Sequence, residues 1–218
     1  MITARDKQVL TWIGEQYAVR IDHLRLLMGR DAGKPTAEPG RVSRSNAERR
    51  VRVWIKDGLV ERKKIFIGQP AWIWLTRQGL GLLENDYRFL EPKVATLDHI
   101  HAVNQVRLWL EKHQGRELLW QSERELKYVF GRDEKTKTKH VPDGLITTEA
   151  GTVALEVELT QKVATRLKRI LLNLVRDYDT IWYFANDRAY GPISAQIATL
   201  SEKNQQRFSL RHLRETGL

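Results

Sequence analysis

Apolar residues near the start of the chain recur at helical spacing. Val9, Leu10, Ile13 and Tyr17 fall on one side of a helix that Thr3-Ala4-Arg5-Asp6 can cap. A second short helix is predicted from Ile21 to Met28, with Leu24, Leu27 and Met28 inward and Gly29 at its end. Residues 29–43, rich in Gly, Pro and charge, read as an exposed loop. From Ser45 to Asp57 the pattern is helical again: Ala47, Val51, Trp54 and Ile55 share one face, and Ser45, Arg49, Arg52 and Lys56 the opposite one. Gly58-Leu59-Val60 then opens a strand that runs through Lys63 and Lys64 to a Gly68-Gln69-Pro70 turn. Residues 71–75 return as a second strand, and Thr76 can cap a helix holding Leu80, Leu82 and Leu83.

Residues 87–96 carry a proline and little periodicity, so they mark a boundary between domains at 1–90 and 97–218. Beyond it a helix is predicted from Asp98 to His113, with His99, Val103, Val106 and Leu110 on one side and Asn104, Arg107 and Glu111 beside them. Strands follow at residues 118–121, 126–130 and 140–146, with a lysine-rich turn, EKTKTKH, before the last of these. Residues 152–160 alternate: Val153, Leu155, Val157 and Leu159 line one face, Ala154, Glu156, Glu158 and Thr160 the other. An amphipathic helix at 162–178, a buried strand at 180–185, a helix at 194–203 and a strand at 208–213 complete the chain. Layers of helix on sheet, after a first half of helices and a hairpin, give an α+β class with a mixed α/β second half.

Composition narrows the function. The 218 residues are enough for one large domain or two small ones. No cysteine is present, which excludes disulfides, thiolate zinc sites and cysteine nucleophiles and fits a reducing cytoplasm. The apolar runs are too short for a signal core or a membrane span, so no membrane partner is expected. Net charge is +10, and it is uneven: residues 1–97 hold 18 Lys/Arg against 11 Asp/Glu, residues 98–218 hold 19 against 16. The first half is therefore the better polyanion binder.

Three helices, a hairpin and a closing helix resemble the winged helix-turn-helix pattern, and DGLVERKK followed by AWIWLTRQG is similar to that superfamily's wing. The partner this implies is double-stranded DNA, whose major groove admits a helix. Arg49 and Arg52 suit base edges because their planar forks grip guanine; Ser45 shares their face, and Lys56, Lys63 and Lys64 suit phosphates. A solvated face on a protein-binding module also accounts for these cations, but helix order, wing and charge together favour DNA. The loop before the third helix is longer than a standard helix-turn-helix turn. A homodimer would match palindromic DNA, although no heptad or apolar stripe marks one.

Pro142-Asp143 and, thirteen residues after the aspartate, Glu156-Val157-Glu158 resemble the metal-binding pair of the PD-(D/E)XK nuclease-like fold. That resemblance implies Asp143 and Glu156 as ligands of Mg2+, which would polarise a phosphate and help make hydroxide from water. Glu158 stands where the family usually has lysine, as a ligand or base, and Lys162 offers a cation from a displaced position. An amphipathic strand that keeps its acids in water explains the same alternation. His99, His101 and His113 have no completing ligand set and read as packed or surface residues. T-x-R-D at the start, H-x-x-x-x-N in a helix, then PDG and E-x-E together resemble the replication-relaxation family of mobile-element proteins. What this implies is DNA binding in plasmid, phage or integrative-element replication, transfer or transcriptional regulation, with a metal-dependent endonuclease as the alternative.

Overall fold

A computed structural model describes residues 2–30, 40–83, 87–113, 118–133, 136–149 and 151–217. The middle of the expected 29–43 loop and the first two residues of the lysine-rich turn lie outside the described residues. The architecture is mixed α+β, in two compact units, Met1–Asn104 and Gln105–Leu218.

In the first unit, α1 (Ala4–Glu15) begins in a capping box: Thr3 accepts from the Asp6 N–H, and the Asp6 carboxylate accepts from the Thr3 N–H. The chain turns at Tyr17, φ 66°, and the Ala18 carbonyl is held at 2.8 Å by Nδ2 of the buried Asn104. A short strand β1 (Val19–Arg20) leads into α2 (Ile21–Gly29). Ser43 caps α3 (Arg44–Lys56), and Ala47, Val51 and Trp54 are buried. Ile55 departs from expectation: at 42 % exposure it lies at the margin of the buried face, where the apolar sector ends. Strands β2 (Val60–Lys63) and β3 (Trp72–Leu75) form a hairpin, and β1 adds to it in an antiparallel sheet of order β1-β3-β2. Thr76 caps α4 (Arg77–Leu80), a single turn that stops before Leu82, which is 42 % exposed. Gly79 sits in that turn because a Cβ there would collide with the Leu59 carbonyl.

Helix α5 (Leu97–His113) runs through the division between the units. In the second unit β4 (Leu119–Ser122) is followed by α6 (Glu123–Arg132), where a strand at 126–130 is expected from sequence. Ser122 accepts from the Glu125 N–H, two glutamates occupy the first turn, and Lys127 bonds Glu123 at 2.6 Å. Cap, dipole and an i,i+4 pair together outweigh the short apolar run. Strands β5 (Gly144–Thr148) and β6 (Gly151–Glu158) form an antiparallel hairpin. Helix α7 (Ala164–Asp177) crosses to β7 (Thr180–Ala185), parallel to β6. The predicted helix at 194–203 is two helices, α8 (Asp187–Ile197), capped by Asn186 and carrying Pro192 internally, and α9 (Glu202–Gln205). Gly191-Pro192 mimics a break, but the cap lies upstream of it and sets the true start. Strand β8 (Phe208–His212) completes a five-stranded sheet of order β4-β5-β6-β7-β8. Leu167, Leu171 and Leu174 of α7 pack with Ala154, Ile181 and Tyr183 into its core.

Candidate functional site

Two surfaces bear on function, one in each unit. In the first, α3 divides its faces sharply. Ala47, Val51 and Trp54 are sealed inside, while Ser45, Arg49, Arg52 and Lys56 are all exposed. On the neighbouring hairpin Arg62, Lys63 and Lys64 are exposed as well. Glu48 links the two elements, accepting from Arg44 Nε at 3.1 Å and lying 3.9 Å from Arg62 Nη2. Between them Arg44, Arg62 and Lys64, with residues Gly68–Ala71, line a cleft of about 350 Å³. All six cations and hydroxyls expected at the DNA face from sequence thus lie at the surface of one unit.

The inner side of α3 is anchored by a contact that sequence spacing does not reveal. Asp6, 5 % exposed, accepts from Arg50 Nε at 2.6 Å, from Arg50 Nη2, and from the Trp54 indole N–H at 3.2 Å. Burial works against its charge, but the hydrogen bonds from Arg50 and Thr3 hold its carboxyl at about 2. Nearby, His23 and His101 stack with ring centroids 4.3 Å apart, and Trp72 meets His101 edge-on. Burial keeps both imidazoles neutral, His23 down to about 3 and His101 to about 4. His113 bonds the Trp109 carbonyl at 2.7 Å. Among the described residues no group of three or more His, Cys, Asp or Glu side chains that could hold a metal occurs.

In the second unit the acidic residues meet at the end of β6. Register sets Gly144 opposite Leu155, which brings Asp143 level with Glu156. Asp143 Oδ2 accepts from the Val157 N–H at 2.8 Å and so ties the start of β5 to β6. Glu156 Oε1 lies 2.8 Å from His140 Nε2. Burial, then the nearby Asp143 charge, pushes the Glu156 carboxyl up. Burial alone would lower His140, yet its bond to Glu156 and the surrounding carboxylates hold it above its usual range.

Glu158 does not stand in water as an alternating half-buried strand would have it. It is 6 % exposed, because β6 is flanked by β5 and β7 and covered on both faces. Its Oε1 accepts from the Thr160 N–H at 3.0 Å and Thr160 Oγ1 at 2.9 Å, and its Oε2 pairs with Lys162. Burial lowers Lys162, while the charges of Glu156 and Asp143 oppose that shift. Asp143, Glu156, Glu158 and Lys162 are therefore brought together, with His140 as a member that sequence reasoning passed over. Its signal was only a histidine two residues before Pro142.

Two neighbouring carboxylates are the hard oxygen donors that Mg2+ uses when water and a substrate phosphate complete its shell. In this chain Glu156 is also committed to His140. No helix among the described residues is long and apolar enough to cross a membrane. No family model matches the chain, and neither a curated protein nor a solved structure matches it.

Proposed function

We propose that the chain is a DNA-binding protein whose first unit works as a winged helix, acting in the cytoplasm in the regulation, replication or transfer of a mobile genetic element. The observation that carries this is the exposed cationic face of α3, set opposite a sealed apolar face and beside a basic hairpin. The element order α1-β1-α2-α3-β2-β3, with β3 central, supports the winged-helix reading. At about 1.5 Å per residue the 13 residues of α3 extend about 20 Å, and its width suits the major groove. Arg49 and Arg52, one turn apart, face base edges; Lys56, Lys63 and Lys64 take phosphates, with Ser45 at the entering end of the helix. The second unit, on a nuclease-like α/β scaffold, serves assembly or further DNA contact.

Retention of duplex DNA on a native gel tests this. Arg49→Ala with Arg52→Ala should weaken retention at least about tenfold while leaving thermal unfolding unchanged, since both side chains are exposed. Undiminished retention would remove α3 from the interface.

A second reading, a Mg2+-dependent endonuclease, is favoured by the position of Asp143, just before β5 and level with Glu156 of β6. Asp143 and Glu156 would hold the ion, which would supply electrophilic activation of the phosphate. Lys162 would steady the phosphate charge, and Glu158 would position Lys162. Supercoiled plasmid incubated with and without Mg2+ or Mn2+ separates the readings. Nicking that Asp143→Ala abolishes means an enzyme; intact, retarded DNA with both proteins means a binding protein.

A further inference from the structure

The T-x-R-D start of the chain uses Thr3 and Asp6 in the capping box of α1, and it leaves Arg5 without such a role. Arg5 lines a cleft of about 130 Å³ with Asp6 from α1, Met28 from α2, and Arg50 and Trp54 from α3. Its Nε and Nη2 are buried and have no hydrogen-bond partner among the described residues. Those two nitrogens form one edge of the guanidinium fork, the edge that donates in parallel to both oxygens of a carboxylate or phosphate.

Arg50 shows the same edge in use within the same cleft. Its Nε donates to one oxygen of Asp6 and its Nη2 to the other. Asp6 cannot serve both arginines, because its oxygens also accept from the Thr3 N–H at 2.7 Å, Thr3 Oγ1 at 2.6 Å and Trp54 Nε1 at 3.2 Å. Among the described residues that line it, the cleft therefore sets two guanidiniums against one carboxylate. A buried donor fork with no acceptor among the described residues is costly, and a bound oxyanion would meet both its hydrogens and its charge.

We propose that this cleft binds a small oxyanion of the carboxylate or phosphate class, held side-on by Nε and Nη2 of Arg5. At about 130 Å³ the cleft has room for an ion of acetate or phosphate size. The occupant would brace the inner side of α3 through Arg50 and Trp54. This inference does not rest on the DNA reading, and its test contains no DNA.

Calorimetric titration of the full chain with inorganic phosphate, and separately with acetate, at ionic strength held constant with chloride, tests it. The expected result is saturable one-to-one binding of at least one of the two anions, weakened about tenfold or more by Arg5→Gln and untouched by Arg49→Ala with Arg52→Ala. Which anion gives the heat separates the carboxylate source from the phosphate source. Arg5→Lys keeps the charge and removes the two-nitrogen edge, so it should also lose about tenfold even if Arg5→Gln fails to fold. No saturable heat with either anion would overturn the proposal. So would binding that Arg5→Lys leaves at full strength, or binding lost only in the Arg49/Arg52 variant, which would put the ion on the outer face.

Discussion

Asp6 closes the capping box of α1, neutralises Arg50 and bonds Trp54 on α3. Removing one partner from a buried ion pair leaves the other charge stranded. Asp6→Asn should therefore cost about 3 kcal/mol in urea unfolding, and adding Arg50→Met should recover part of it. A loss within a few tenths of a kcal/mol would show the pair to be incidental. The stacked His23 and His101 make a different prediction. Each titrates near 6.5 in the unfolded chain and well below that when folded, so the unfolded state binds more protons as pH falls below about 6.5. Their contribution is fully present above that pH and is lost towards about 4. Moving from pH 7 to pH 5 should lower stability by on the order of 1–2 kcal/mol per histidine, and His23→Phe with His101→Phe should flatten the slope. An unchanged slope in that double variant would assign the acid sensitivity elsewhere.

At the scale of elements, the second unit depends on close approach between β4 and β5. A Cβ at Gly144 would run into the Trp120 indole, so Gly144→Ala should destabilise by about 1–3 kcal/mol through overpacking. Because Gly144 follows Asp143 and pairs with Leu155, the same change should disturb the Asp143 bond to the Val157 N–H; amide exchange at Val157 would report it. Elements with strong periodicity were legible from sequence. The helices containing Val51 and Leu171 and the alternating β6 appear within a residue or two of their expected bounds. Residues 126–130 were not, because a five-residue stretch of four apolar residues around Lys127 satisfies either period and the deciding signal, the Ser122 cap, lies outside it.

For the whole molecule, the charge of +10 makes the proposed DNA affinity fall with salt. Lys63→Ala with Lys64→Ala should reduce the slope of log K against log salt by about 2 and weaken binding evenly across sequences, whereas Arg49→Ala should relax preference at one base pair. Slopes that do not change would remove the hairpin from the phosphates. The α+β class and the cationic face of α3 followed from local information, since caps, periods of 3.6 and 2, and turn residues act over a few positions, while the placing of Asp143 level with Glu156 was implied by the nuclease-like resemblance. What each charged group is paired with did not follow. Arg50 meets Asp6 across 44 positions, His140 meets Glu156 across 16, and His23 stacks on His101 from another helix. Glu158 is buried because strands close on both sides of it, a property of the sheet that its alternation with Val157 does not encode. Pairing and burial depend on distances set by chain segments far apart in sequence, so only the tertiary structure decided them.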